Sequence, residues 1–193
     1  MTTPSLIDDE GGAWRPNLDA YEPTLVRAAN ASAQFVADAK AKRFGYWLTF
    51  SGPCGCGKTM LARQVFDEAS KLNPGNASLW VGRTRRPRNV WMSADSFADH
   101  MRSGEYDLPQ YLADDFLVVI DDVGTTRDKT DFVADGLFRL CAARLGKWTI
   151  FTTNLRASEM PDRIDERVAS RMVRDENRLI SIKASDYALR KSA

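Results

Sequence analysis

In the stretch FSGPCGCGKT (residues 50–59), Gly52, Gly57, Lys58 and Thr59 stand in the order G-x-x-x-x-G-K-[ST]. That spacing suits a cradle for phosphate. Glycines let the backbone curl until several N–H groups face one anion, and the N-terminus of a following helix adds partial positive charge. Lys58 then reaches the β- and γ-phosphates of a nucleotide, and the Thr59 hydroxyl binds Mg²⁺. The full cradle is read as Gly52, Pro53, Cys54, Gly55, Cys56, Gly57, Lys58, Thr59 and Met60. The competing chemistry for this stretch is a thiol one, built on Cys54 and Cys56. A zinc site needs further ligands, and the rest of the chain offers only His100 and the distant Cys141. A C-x-C pair is too close for a disulfide of ordinary geometry. The two cysteines are therefore read as fillers of variable loop positions. Sensitivity to oxidation stays open, because a thiol near a helix N-terminus can have a lowered pKa.

A second element carries paired acids. In DFLVVIDDVG (115–124), five apolar residues lead into Asp121 and Asp122. In an open α/β sheet, ligands bind beyond the C-terminal ends of the strands. Two carboxylates placed there are costly without a partner cation. Asp121 is expected to associate with Mg²⁺ and Asp122 to polarise an attacking water. The plainer reading is a turn bearing two solvated acids.

Both motifs need strands that deliver them to one edge of a sheet. YWLTFSG (46–52) reads as a buried strand and KTMLARQVFDEASKL (58–72) as a helix. NVWMSADSF (89–97) gives a short strand, SFADHMRSG a short helix, and DFLVVIDDVG a strongly apolar strand. DFVADGLFRLCAARLG (131–146) reads as a helix with Gly146 as its stop, KWTIFTTNL (147–155) as a strand, PDRIDERVASRMV (161–173) as a helix, and NRLISIK (177–183) as a last strand. Near-continuous apolar strands separated by helices imply an α/β fold with a mostly parallel sheet covered on both faces. Residues 1–20 are expected to be a disordered tail, 21–43 an N-terminal helix and 44–193 one domain.

Bulk properties set limits. The 193 residues suffice for one sizeable core, and 44% hydrophobic with 27% charged residues is ordinary for a globular chain. The net charge of +1 gives no general attraction to nucleic acid, so any such case rests on local clustering. No apolar run approaches the ~18 residues of a membrane span, and the N-terminus shows no signal peptide. Three cysteines make no disulfide framework, so a cytoplasmic, reducing location is expected.

With GPCGCGKT, LVVIDDVG, IFTTN and ERVASRM in this order, the chain resembles the AAA+ ATPases and, within them, the DnaC/IstB-type group of helicase loaders and transposition ATPases. The likeness covers roughly residues 44–185. It implies a Rossmann-like five-stranded parallel sheet of order 5-1-4-3-2, ATP bound with Mg²⁺ at a subunit interface, and an ATP-dependent oligomer. It also implies that Asn154, after WTIFTT, orients the hydrolytic water; the alternative is a turn-forming asparagine. Arg167 and Arg171 share a helix face, with Ile164, Val168 and Met172 on the apolar side. By resemblance Arg171 is the arginine finger supplied to a neighbouring subunit, with Arg167 as the alternative. The catalytic set implied is Lys58, Asp122, Asn154 and Arg171. Two departures stand out. The usual helical lid and its arginine are absent or minimal, leaving only Arg190 as a substitute, and Asp122 stands where many members carry Glu.

Between Lys71 and Ala94 no acidic residue occurs, and GRTRRPR (82–88) packs Arg83, Arg85, Arg86 and Arg88 between Trp80 and Trp91. Arginine neutralises phosphates and stacks on bases, and tryptophan adds a stacking platform. Single-stranded DNA contact is one reading. A solvated basic loop, with the tryptophans as core anchors, is the other. The leading expectation is an ATPase acting on a DNA–protein assembly, a helicase-loader-like factor in DNA replication partnered by a replicative helicase. The runner-up is an IstB-like ATPase partnered by a transposase. A nucleotide-dependent interaction module with weak hydrolysis is a third, and a small-molecule kinase is disfavoured for lack of an arginine-bearing lid after the third strand.

Overall fold

The computed structural model describes residues 14–18, 22–73, 80–81, 84–85, 88–105, 107–124, 132–187 and 189. Its elements run α1 (Pro23–Lys40), β1 (Trp47–Ser51), α2 (Lys58–Ser70), β2 (Trp80–Val81), β3 (Thr84–Arg85), β4 (Asn89–Ser93), α3 (Ala94–Ser103), α4 (Leu108–Leu112), β5 (Leu117–Asp121), α5 (Phe132–Ala143), β6 (Trp148–Thr153), α6 (Met160–Arg163), α7 (Glu166–Val173) and β7 (Arg178–Ser181). Strands β1, β5 and β6 are buried along their whole length, which requires cover on both faces. They form the centre of a sheet of order β4-β5-β6-β1-β7, every pair parallel. Counting these five alone, that is the expected order 5-1-4-3-2. β2 and β3 make a separate antiparallel hairpin.

Strand alternation splits the core into two layers. Leu48, Phe50, Val119 and Ile150 face α1 and α2, meeting Phe35, Leu61 and Val65. Trp47, Val118, Ile120 and Phe151 face the other way, onto Phe97, Leu137, Val168 and Met172. α1 is integral to the first layer. Glu22 caps it by accepting from the Thr24 and Leu25 N–H groups, Phe35 packs edge-on against Tyr46 and Trp148, and Thr24 Oγ1 accepts from the Lys183 N–H at 2.9 Å. Trp91 packs on this layer too, edge-on to Phe66 and under the Arg63 guanidinium at 3.8 Å, so it is a core anchor. No described helix is long and apolar enough to cross a membrane.

Three local features differ from the pattern read along the chain. The helix expected over 161–173 is two helices, because Asp165 takes extended backbone (φ 176°) and its carboxylate accepts from the Arg167 and Val168 N–H groups, starting α7 anew. Helix α4 arises where none was expected, started by Asp107 and Pro109. α5 stops at Ala143 rather than at Gly146, because the next residue turns inward. Arg144 is fully buried, and its guanidinium donates to Leu112 O (2.8 Å), Asp115 O (2.9 Å), Trp148 O (2.6 Å) and Thr149 Oγ1 (2.9 Å). Burial pulls its pKa down to about 10, which still leaves it charged at neutral pH.

Candidate nucleotide site

The parallel register brings the C-terminal ends of three strands together. Ser51 of β1 lies beside Thr153 of β6, and Ile120 of β5 beside Phe151 of β6. The chain leaves β1 through residues 52–57 and enters α2 with Gly57 as N-cap at φ 98°, a left-handed conformation that disfavours any side chain. No side chain caps α2, so its positive end faces the loop. Lys58 is almost fully buried there. Its Nζ donates to Pro53 O at 2.7 Å and lies 3.9 Å from Cys56 Sγ.

The two cysteines have different fates. Cys54 is exposed, whereas Cys56 packs into the core layer under α1 and α2. Burial raises the Cys56 thiol pKa against the opposing pull of Lys58, which works against thiolate formation there.

Thr59, Asp121, Asp122 and Thr152 converge at the strand ends. Thr59 Oγ1 donates to Asp121 Oδ1 at 3.0 Å. Thr152 Oγ1 donates to the same oxygen at 2.5 Å and accepts the Asp122 N–H at 2.8 Å. Asp122 takes left-handed backbone (φ 60°). Burial, then the neighbouring Asp121, raises its carboxyl pKa, against the pull of Lys58. Thr152 is the residue sequence reasoning passed over. Its only signal was a second hydroxyl in IFTTN, where threonine is an ordinary strand residue.

The donor set fits Mg²⁺. A hydroxyl and a carboxylate oxygen are hard ligands, and Mg²⁺ completes its octahedron from water and substrate phosphates. Three or more clustered His, Cys, Asp or Glu residues, the mark of an all-protein metal cage, are not found among the described residues.

The remaining expected residues fall into three groups. Asn154 is exposed and follows Thr153, whose carbonyl accepts the Gly52 N–H at 3.2 Å, so it borders the loop. Arg171 is not brought to the loop of its own chain. Its carbonyl accepts from Asn177 Nδ2, and Asn177 Oδ1 accepts from the N–H of Trp47, the first residue of β1, at the opposite strand end from Gly52. Of the arginine run, Arg83 and Arg86 lie outside the described residues, and for Arg85 the structure describes only the backbone, in β3. Arg88 is engaged internally: its guanidinium grips the Asp115 carboxylate (2.9 Å) and lies over the Tyr111 ring at 4.4 Å.

The segment after β7 also reaches the loop. Ile182 N–H donates to Ser51 O (2.7 Å) and Tyr187 N–H to Gly55 O (3.0 Å), and the Asp186 carboxylate fills the space a side chain on Gly55 would need.

Neither a family model nor a curated protein matches the sequence. Solved structures do match the fold. The DnaC helicase loader aligns over 88% of this chain and 94% of its own with a TM-score of 0.66 and 22% identity. DnaI aligns over 88% and 87% with a TM-score of 0.63 and 17% identity. The replication initiator DnaA bound to AMPPCP and single-stranded DNA aligns over 80% of this chain and 46% of its own, with a TM-score of 0.60 and 21% identity. The chain shares the fold of these three structures. In this fold the candidate site occupies the C-terminal edge of the sheet, and α7 packs against β7 and β1 on the face that carries Trp47 and Phe151.

Proposed function

We propose that the chain binds Mg²⁺–ATP and hydrolyses it as a helicase-loader-like factor acting on a DNA–protein assembly. The observation that carries this reading is the convergence of Lys58, Thr59, Asp121 and Asp122 at one strand edge, tied together by the Thr59–Asp121 and Thr152–Asp121 hydrogen bonds. The loop N–H groups and the Lys58 ammonium hold the phosphates. Thr59 and Asp121 would hold Mg²⁺, which supplies charge neutralisation at the transferred phosphoryl group. Asp122 orients the attacking water and accepts its proton. Asn154 steers the same water. Arg171 acts on the nucleotide of a neighbouring copy, so ATP promotes self-association. The likeness to the DnaC helicase loader, over 94% of that chain, supports a replicative helicase as the partner. The DnaA neighbour, bound to single-stranded DNA, supports that ligand for Arg83, Arg85 and Arg86, with Arg88 acting as the anchor of the segment.

Phosphate release from ATP tests the reading. Lys58→Ala is expected to lower turnover about 10²–10³-fold, the usual loss when one preset electrostatic donor is removed. Equal turnover in wild type and variant sinks the reading, and ATP binding without turnover in the wild type reduces the chain to an interaction module. Thr152→Val keeps the shape but removes both hydroxyl bonds. It is expected to lower kcat roughly tenfold through misplacement of Asp121 and Asp122, with a smaller change in KM. Unaltered kcat in this variant means that Thr152 does not set the acidic pair.

A further inference from the structure

We infer that Phe138 of α5 is a positioning residue, whose ring presets the Arg171 guanidinium for delivery to a nucleotide held by a second copy of the chain. The inference rests on the shared-site reading of the proposed function and adds the device that makes the delivered group rigid.

The geometry is specific. The Arg167 and Arg171 guanidinium carbons lie 4.2 Å and 4.3 Å from the centroid of the same Phe138 ring. Two arginines one helical turn apart repel each other unless something divides their roles. Here the surroundings divide them. Arg167 is committed to carboxylates: its guanidinium pairs with Asp165, the cap of α7, at 3.0 Å, and approaches Asp135 at 3.9 Å. Arg171 has no ion pair among the described residues. The only hydrogen bond its guanidinium makes there is a long one within the helix, Nη1 to Arg167 O at 3.3 Å. It is half-buried against α5, close enough that its charge is felt at the buried Cys141 thiol. Arg171 is therefore a cation held over the ring with no ion-pair partner among the described residues, and Arg167 is a structural neighbour that seals the ring. This pairing pattern favours Arg171 over Arg167 for an external phosphate.

A free arginine side chain has many rotamers, and ordering them at the moment of engagement opposes binding. A guanidinium already held over an aromatic ring loses less freedom on engagement, because its position is restricted before the neighbour arrives. Preset charge of this kind acts on the transition state rather than on ground-state binding. The sequence hid Phe138, since a phenylalanine within an apolar helix reads as core.

The test is a ring series at one position. Phe138→Leu keeps an apolar, helix-compatible side chain without a π face, and Phe138→Tyr restores the face. Phe138→Leu is expected to lower ATPase kcat roughly tenfold, with KM for ATP within about twofold and an unchanged melting temperature, while Phe138→Tyr stays within about twofold of wild type. Mixing Phe138→Leu chains with Lys58→Ala chains is expected to restore turnover per intact loop, because the Lys58→Ala chain brings an intact Phe138–Arg171 pair to its neighbour. Wild-type kcat in Phe138→Leu overturns the inference. So does an equal loss in the Leu and Tyr variants, which marks a packing role, or no recovery on mixing, which marks an effect within one chain. If Arg171→Ala chains recover with Lys58→Ala chains while Phe138→Leu chains do not, only the inference fails. If neither mixture recovers, the shared-site reading fails with it.

Discussion

Arg171→Ala is expected to lower ATP turnover about 10³-fold or more while leaving ATP affinity and thermal stability close to wild type. The magnitude follows from the role: an arginine supplied to the transferring phosphoryl group is worth ~10³–10⁵ in rate in P-loop enzymes. The selectivity follows from the placement. Arg171 sits at the end of the sheet opposite the loop, on a helix that contributes nothing to the Lys58–Thr59–Asp121 cluster of its own chain. Its loss removes one long intrahelical bond and one ring contact, worth about 1 kcal/mol at a half-exposed site. Arg171→Lys is expected to recover little, because an ammonium lacks the planar fork that stacks and binds phosphate in two places. Turnover per chain in the wild type should rise with protein concentration, since the proposed site is completed by a second copy. The decisive measurement is single-turnover hydrolysis at saturating ATP. An Arg171→Ala rate within threefold of wild type rules the residue out as the delivered cation.

Arg144→Met is expected to destabilise the fold by about 3 kcal/mol, read from urea or thermal unfolding. Methionine approximates the length but offers no donors. Three backbone carbonyls, of Leu112, Asp115 and Trp148, then lose a charged partner in a fully buried setting, together with the Thr149 hydroxyl. Each unsatisfied buried acceptor costs about 1–3 kcal/mol before relaxation. The damage extends outward, because the segment ending at Asp115 carries the carboxylate that grips Arg88, at the root of the arginine run. Arg144→Lys should be intermediate, since three donors on one nitrogen do not reach four acceptors spread around a guanidinium. An unfolding free energy within 0.5 kcal/mol of wild type for the methionine variant is the contrary result, and it means the carbonyls find water.

The candidate site was legible wherever its chemistry is contiguous. The loop 52–60 announces itself because phosphate binding needs glycines, a lysine and a hydroxyl within one turn of chain, and Asp121–Asp122 because two acids ending an apolar strand are costly without a use. Legibility failed where a role depends on a partner far along the chain. Thr152 looks like a strand former until β6 is set beside β5, when its hydroxyl bridges Asp121 and the Asp122 N–H. Phe138 looks like core until α7 lays two guanidinium groups on it. Arg144 looks like a surface charge after a helix, yet it is fully buried. The break between α6 and α7 was missed because Ile164, Val168 and Met172 keep helical spacing across it, while the Asp165 cap acts on backbone groups that a spacing count ignores.

The strand order was implied only by the resemblance to the AAA+ ATPases; the sequence by itself carried the alternation of buried strands with amphipathic helices, the mostly parallel sheet and the candidate phosphate loop. These depend on short-range periodicity and on backbone preferences within a few residues, which the chain carries in itself. Tertiary structure alone decided that Thr59 meets an aspartate 62 residues away, that Cys56 is buried and Cys54 exposed, that Arg167 is neutralised while Arg171 is not, and that the residues after β7 close onto Gly55. Each of these is a distance between side chains on different elements, and such distances are set by strand register and helix packing, which no local pattern of residue types encodes.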